Sequence, residues 1–112
     1  MLPEIIEYSG LLYFSSLSND QLTATKMLAE AAGLEIEVGP RSLELAYSGR
    51  DTDRKVVKFI GKLAEIVGDA AGEITCTLNW EHADPSFEFY SIRDGKVFLQ
   101  RGWILREKSE AV

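Results

Sequence analysis

The sequence predicts a single α+β domain in which two helices cover one face of an antiparallel sheet. Three observations carry that expectation. Apolar residues recur at helical spacing in two stretches, the segments around them alternate with period two, and Asp94-Gly95 joins two β-rich runs near the C-terminus. The 112 residues suit one domain rather than two. With 46% hydrophobic and 27% charged residues, the chain has enough apolar surface to offset its ordering entropy, so it is not as a whole a disordered tail. The expected domain covers residues 1–106, with 107–112 (EKSEAV) as a flexible C-terminal tail.

The first segment, Tyr8 to Ser15, is rich in β-formers, and Leu11-Leu12-Tyr13-Phe14 reads as a strand buried on both sides. A helix over 18–32 follows. Ser18 is placed as its N-cap and Gln21, three residues on, completes a capping box, while Leu17 and Leu22 suit a hydrophobic staple. Ala24, Met27, Leu28 and Ala31 give an apolar stripe at i, i+3, i+4 and i+7, and Gly33 stops the helix. Leu34, Ile36 and Val38 then alternate with Glu35 and Glu37, and Gly39-Pro40-Arg41 supplies a turn. The chain returns through Leu43, Leu45 and Tyr47, alternating with Glu44, Ala46 and Ser48.

A second helix is expected to start near Asp51 or Thr52, with Asp51 and Asp53 complementing its positive N-terminus. Val56, Phe59, Ile60, Leu63 and Val67 form its buried stripe; Arg54, Lys58 and Lys62 fall along its exposed side, and Gly68 or Gly72 ends it. In the next strand Ile74, Cys76, Leu78 and Trp80 point one way and Glu73, Thr75, Thr77 and Asn79 the other. The order β-α-β-β-α-β resembles the split βαβ pattern of ferredoxin-like domains. Residues 87–93 and 96–105 then add a C-terminal β-hairpin, closed by the positive-φ turn that Asp94-Gly95 favours and extending the sheet beside strand 73–80. Its last strand carries Val97, Leu99, Arg101, Trp103 and Leu105 on one face and Phe98, Gln100, Gly102, Ile104 and Arg106 on the other. Both faces are partly apolar, so both are expected to be partly covered. The sheet face away from the helices should carry Glu35, Glu37, Glu44, Thr75, Thr77 and Asn79, a polar and acidic surface.

Composition narrows the function classes. A net charge of −6 argues against general nucleic-acid affinity, because phosphate backbones attract Lys and Arg. The sign is segregated: residues 1–49 carry seven acids and two bases, residues 50–62 five bases and two acids, and residues 63–92 six acids and no base. A segregated surface of this kind steers a charged partner. No uncharged apolar run approaches the roughly 18 residues of a membrane span. The start, MLPEIIEYSG, lacks the basic and apolar regions of a signal peptide. The single cysteine, Cys76, forms no intrachain disulfide, so the expected address is cytoplasmic.

Catalytic and metal-binding patterns are sparse. His82, the only histidine, lies in a loop with Glu81 and Asp84, one nitrogen and two oxygen donors where a structural zinc wants four N or S ligands. Ser86 is near in sequence but brings neither an orienting acid nor an oxyanion hole. Asp51-Thr52-Asp53 lacks the context of a phosphoryl-transfer aspartate pair and reads as helix capping, and the glycines never form a phosphate loop. No cofactor, metal or catalytic residue is expected. By contrast Trp80, Phe87, Phe89, Tyr90, Phe98 and Trp103 crowd into 24 residues, and Trp, Tyr and Arg are common interface anchors.

The expected function is therefore a small acidic, non-enzymatic protein–protein interaction domain, of the kind an inhibitor, immunity protein or adaptor uses. Its partner-binding residues are Tyr90, Arg101 and Trp103 on the hairpin and Glu35, Glu37 and Glu44 on the acidic face. The partner is another protein or a second copy docking through the hairpin. One alternative is a dimeric regulatory module binding a small molecule; another is an enzyme with its site near His82.

Overall fold

The computed structural model describes residues 3–103; the side chain of Trp103 and the expected tail 107–112, together with Ile104, Leu105 and Arg106, lie outside the described residues. The elements run β1 (Ile5–Phe14), α1 (Asn19–Ala31), β2 (Ile36–Val38), β3 (Ser42–Gly49), α2 (Lys55–Val67), β4 (Ala70–Asn79), β5 (Ser86–Arg93) and β6 (Lys96–Trp103). They build one six-stranded sheet in the order β2-β3-β1-β4-β5-β6, with every neighbouring pair antiparallel. The first four strands and two helices are consistent with a ferredoxin-like core, and β5–β6 extends it past β4 as the sequence predicts. Asp94 (φ 53°) and Gly95 (φ 71°) adopt the positive φ that a tight hairpin needs. The Asp94 amide donates to Asp69 Oδ1 at 2.9 Å and the Gly95 amide to the Gly68 carbonyl at 2.7 Å, tying the hairpin tip to the end of α2.

Register fixes what each face carries, because directly opposed residues in antiparallel strands share a face. Tyr47, Tyr8, Cys76, Glu88 and Arg101 form one cross-sheet row, and Leu45, Gly10, Ile74, Tyr90 and Leu99 the next. These rows lie under the helices. The core is built there from Ile6, Tyr8, Leu12, Leu43, Leu45, Ile74, Cys76 and Ile92 against Val56, Phe59, Ile60 and Leu63 of α2. Each aliphatic or Phe side chain among them contributes about 1.5–3 kcal/mol of burial before entropic costs. The second face has no layer over it among the described residues. That corrects the reading of β1 as buried on both sides: Leu12 and Phe14 are buried, whereas Tyr13 is 53% exposed on the open face.

Both helices differ in detail from expectation. The α1 capping box forms, Ser18 Oγ accepting from the Gln21 amide at 3.1 Å and Gln21 Oε1 from the Ser18 amide at 2.9 Å. The buried residues of α1 are nevertheless Thr25 and Ala29, with the C-cap Ala32 half-buried; of the predicted stripe Leu28 packs half-buried on the core, whereas Ala24, Met27 and Ala31 are exposed. Two alanines gain little from burial, and Thr25 is admitted inside because its hydroxyl donates to the Gln21 carbonyl at 2.9 Å. Helix α2 starts at Lys55, later than predicted. Asp51 caps it from outside: Oδ1 accepts from the Lys55 amide at 2.9 Å and Oδ2 from the Val56 amide at 3.3 Å. Asp53 is exposed. Arg54 becomes the N-cap residue at φ 55°, ψ 39°, a left-handed conformation that costs a non-glycine residue about 1 kcal/mol or more. It does not lie along the exposed side with Lys58 and Lys62, both of which do face outward.

Candidate functional site

The open face of the sheet divides into an acidic and an aromatic half. On β2, β3, β1 and β4 it carries Glu37, Glu44, Glu7 and Glu73, with Glu35 exposed just before β2. Glu37 stands directly opposite Glu44 in the ladder, and Leu11 lies between Glu44 and Glu73 in the same row. Like charges directly opposed destabilise a sheet, so this half gains from a basic neighbour. Glu35 and Glu37 also border an open groove of about 570 Å³ at the β2 edge, beside Lys26 and Glu30. The expected acidic surface is thus present, with Glu35, Glu37 and Glu44 all exposed.

On β5 and β6 the same face carries Phe87, Phe89 and Phe98. Phe87 and Phe89 stack with centroids 6.3 Å apart at 19°, and Phe98 is 39% exposed beneath the Arg93 guanidinium, 4.2 Å from its centroid. Gly102 makes this arrangement possible: a Cβ there would sit 3.1 Å from Phe89 Cε2, so its absence lets the ring lie across the edge strand. Strand β6 is the sheet's outer edge, with Leu99 42% exposed on the helix side and Phe98 exposed on the other. Such an edge, apolar on both sides, is where partner chains dock or add a strand.

Of the hairpin residues expected to bind a partner, the structure separates three. Arg101 is exposed on the β6 edge. Trp103 ends β6 opposite Ser86, with its side chain outside the described residues. Tyr90 is only 3% exposed and belongs to the interior, so it is not a surface residue. Its phenol donates to Glu88 Oε1 at 2.8 Å and accepts from Arg54 Nη2 at 2.8 Å. Arg54 also pairs with Glu88 Oε1, and Arg101 Nε lies 3.6 Å from Glu88 Oε2.

This Glu88-centred cluster holds the hairpin to the start of α2. Burial by itself would raise the Glu88 carboxyl, but the hydrogen bonds from Tyr90 and Arg54 and the charges of Arg54 and Arg101 outweigh it and hold the group below its ordinary range. The Tyr90 phenol is pushed up by burial and by its bond to Glu88. Beside the cluster, burial raises the Cys76 thiol to about 11, which keeps it protonated and unreactive at neutral pH. The Tyr8 hydroxyl, raised chiefly by burial, makes no hydrogen bond among the described residues.

A smaller cavity of about 250 Å³ opens between the 50–54 loop and the end of the sheet, on the helix side. Arg50, Asp51, Thr52 and Arg54 line one wall; Pro3, Ile6, Leu78 and Trp80 line the other. Trp80 is fixed by a 3.0 Å bond from its indole Nε1 to Ser86 Oγ. His82 lies elsewhere, exposed in the β4–β5 loop with Nε2 3.5 Å from Glu81 Oε1. Among the described residues no group of three or more His, Cys, Asp or Glu is placed to share a metal ion. No helix among them is long and apolar enough to cross a membrane. Comparison with protein-family models, curated proteins and solved structures finds no match.

Proposed function

We propose that this protein is a non-enzymatic interaction domain that docks a basic protein partner on its open sheet face, as an acidic inhibitor, immunity protein or adaptor does. The observation that carries the reading is the uncovered face itself, which carries Phe87, Phe89 and Phe98 on β5 and β6 and Glu7, Glu37, Glu44 and Glu73 on the other four strands. The aromatic rings supply apolar area fixed in advance, so little side-chain entropy is lost on contact. The carboxylates supply long-range attraction, which speeds encounter and selects a cationic partner. A partner of this type is a nucleic-acid-handling enzyme, whose basic groove the acidic face would occupy.

The test is capture from cell lysate by the immobilised full chain, compared with Phe87→Ser/Phe89→Ser on the open face and with Met27→Ser on the outer side of α1. A partner retained by the wild type and the α1 variant, lost with the double variant and released as salt rises, is the expected result. A retained set that does not distinguish the two variants contradicts the assignment.

A further inference from the structure

We propose that the cavity between the 50–54 loop and Trp80 binds a small monocarboxylate with an apolar or aromatic body. The site lies on the helix side of the sheet, away from the open face, and is independent of the docking proposal.

Charge defines one end of the ligand. Of the lining residues, two are guanidinium groups, Arg50 and Arg54, and one is a carboxylate, Asp51. Asp51 is 2% exposed and both its oxygens accept backbone amides, from Lys55 and Val56, so it presents little carboxylate to an ammonium group. Glu88 pairs directly with Arg54 and lies 3.6 Å from Arg101. Among the lining residues alone the two guanidinium groups exceed Asp51 by one positive charge, and Arg50 is the cation of the wall without a carboxylate partner among the described residues. Arg50 makes no hydrogen bond or ion pair among the described residues, and Arg54 uses only Nη2, leaving other N–H donors for a planar carboxylate. Arg54 is also held in place: its backbone sits in the left-handed region and its side chain is bonded to Glu88 and Tyr90. A cation positioned before the ligand arrives loses less freedom on binding.

Shape defines the other end. Ile6, Leu78 and the indole of Trp80 form an apolar wall, and the Trp80–Ser86 bond fixes the ring. The volume of about 250 Å³ matches roughly eight waters at about 30 Å³ each, enough for a ring and a carboxylate but below the usual range for drug-sized ligands. An amino acid fits poorly, since its ammonium would meet two arginines and an engaged carboxylate.

The test follows the Trp80 indole N–H in two-dimensional NMR of the full chain, its signal assigned by its loss in Trp80→Phe. Three probes are titrated: phenylacetate, 2-phenylethylamine and inorganic phosphate. Phenylacetate is expected to shift the signal saturably with a Kd in the millimolar range or tighter. Arg50→Gln, at an exposed position and checked for an otherwise unchanged spectrum, is expected to weaken binding roughly tenfold, equivalent to 1.4 kcal/mol. The proposal is overturned by an absent or non-saturating phenylacetate response, by unchanged affinity in Arg50→Gln, or by equal binding of the amine, which would leave charge without a role. Phosphate binding as tightly as phenylacetate overturns it too, because the apolar wall would then contribute nothing.

Discussion

Gly10→Ala is expected to destabilise the protein by more than about 3 kcal/mol, measured as a fall in the urea midpoint with unchanged slope. Gly10 sits in β1, between β3 and β4, facing the core opposite Leu45 and Ile74. A Cβ there would lie 2.3 Å from the Glu73 carbonyl oxygen and 2.8 Å from Ile74 Cα. Those are backbone atoms of the adjacent strand, and no rotamer change relieves them; the β1–β4 ladder itself must move apart. Because β4 carries the hairpin on its other side, the displacement would be passed on to the whole extension. Gly61→Ala on α2, where a Cβ meets nothing within 4 Å, is the matched control and should be neutral or slightly stabilising, since alanine is the better helix former.

Glu88→Ala is expected to cost about 2–3 kcal/mol. Removing one member of a buried ion pair costs about 3–5 kcal/mol. The lower figure applies because the Arg54 side chain is 35% exposed and keeps part of its hydration. The loss falls on the tie between β5 and the start of α2, and leaves the Tyr90 phenol without its acceptor and Arg54 strained without its counterion. The carboxyl is depressed in the folded protein, so at moderately acid pH the unfolded chain binds more protons than the folded one. Its contribution is complete above the ordinary carboxylate range and is lost as pH falls through the depressed folded value. The stability gap between wild type and Glu88→Gln should therefore narrow between about pH 6 and about pH 3 in urea titrations. A gap that stays constant over that interval would show that Glu88 gains nothing from its charge.

Much of the architecture was legible because local chemistry and global packing agree. Ser18 and Gln21 specify the start of α1, Asp94-Gly95 specifies the hairpin, and the alternation in Leu43–Tyr47 and Ile74–Leu78 specifies which face is buried. The stripe on α1 was not legible, since a helix rich in alanine and threonine has no dominant apolar side and its rotation is set by what it packs on. The start of α2 is not legible because its cap, Asp51, acts from four residues upstream across a left-handed Arg54.

The Glu88 cluster has a signal in the sequence that periodicity contains. Ser86, Glu88, Tyr90 and Ile92 share the buried phase of β5, and a carboxylate in that phase requires a cation over it. Which cation answers depends on tertiary placement: Arg54 is 34 residues away. The same phase assigns Phe87 and Phe89 to the opposite face. Both belong to the aromatic hairpin, and it is they, rather than the buried Tyr90, that the open face presents.

Light scattering on the full chain after size exclusion, at low and moderate salt, tests most directly whether the open face is kept for a foreign partner. Two copies stacked acidic half on acidic half would press Glu7, Glu37, Glu44 and Glu73 against their own kind, and the face is read as kept for a cationic partner, so the account predicts a monomer near 12.5 kDa at both salts. A dimer that persists in the wild type and dissociates in Phe87→Ser/Phe89→Ser would contradict it, because the aromatic half would then be covered by the protein's own copy.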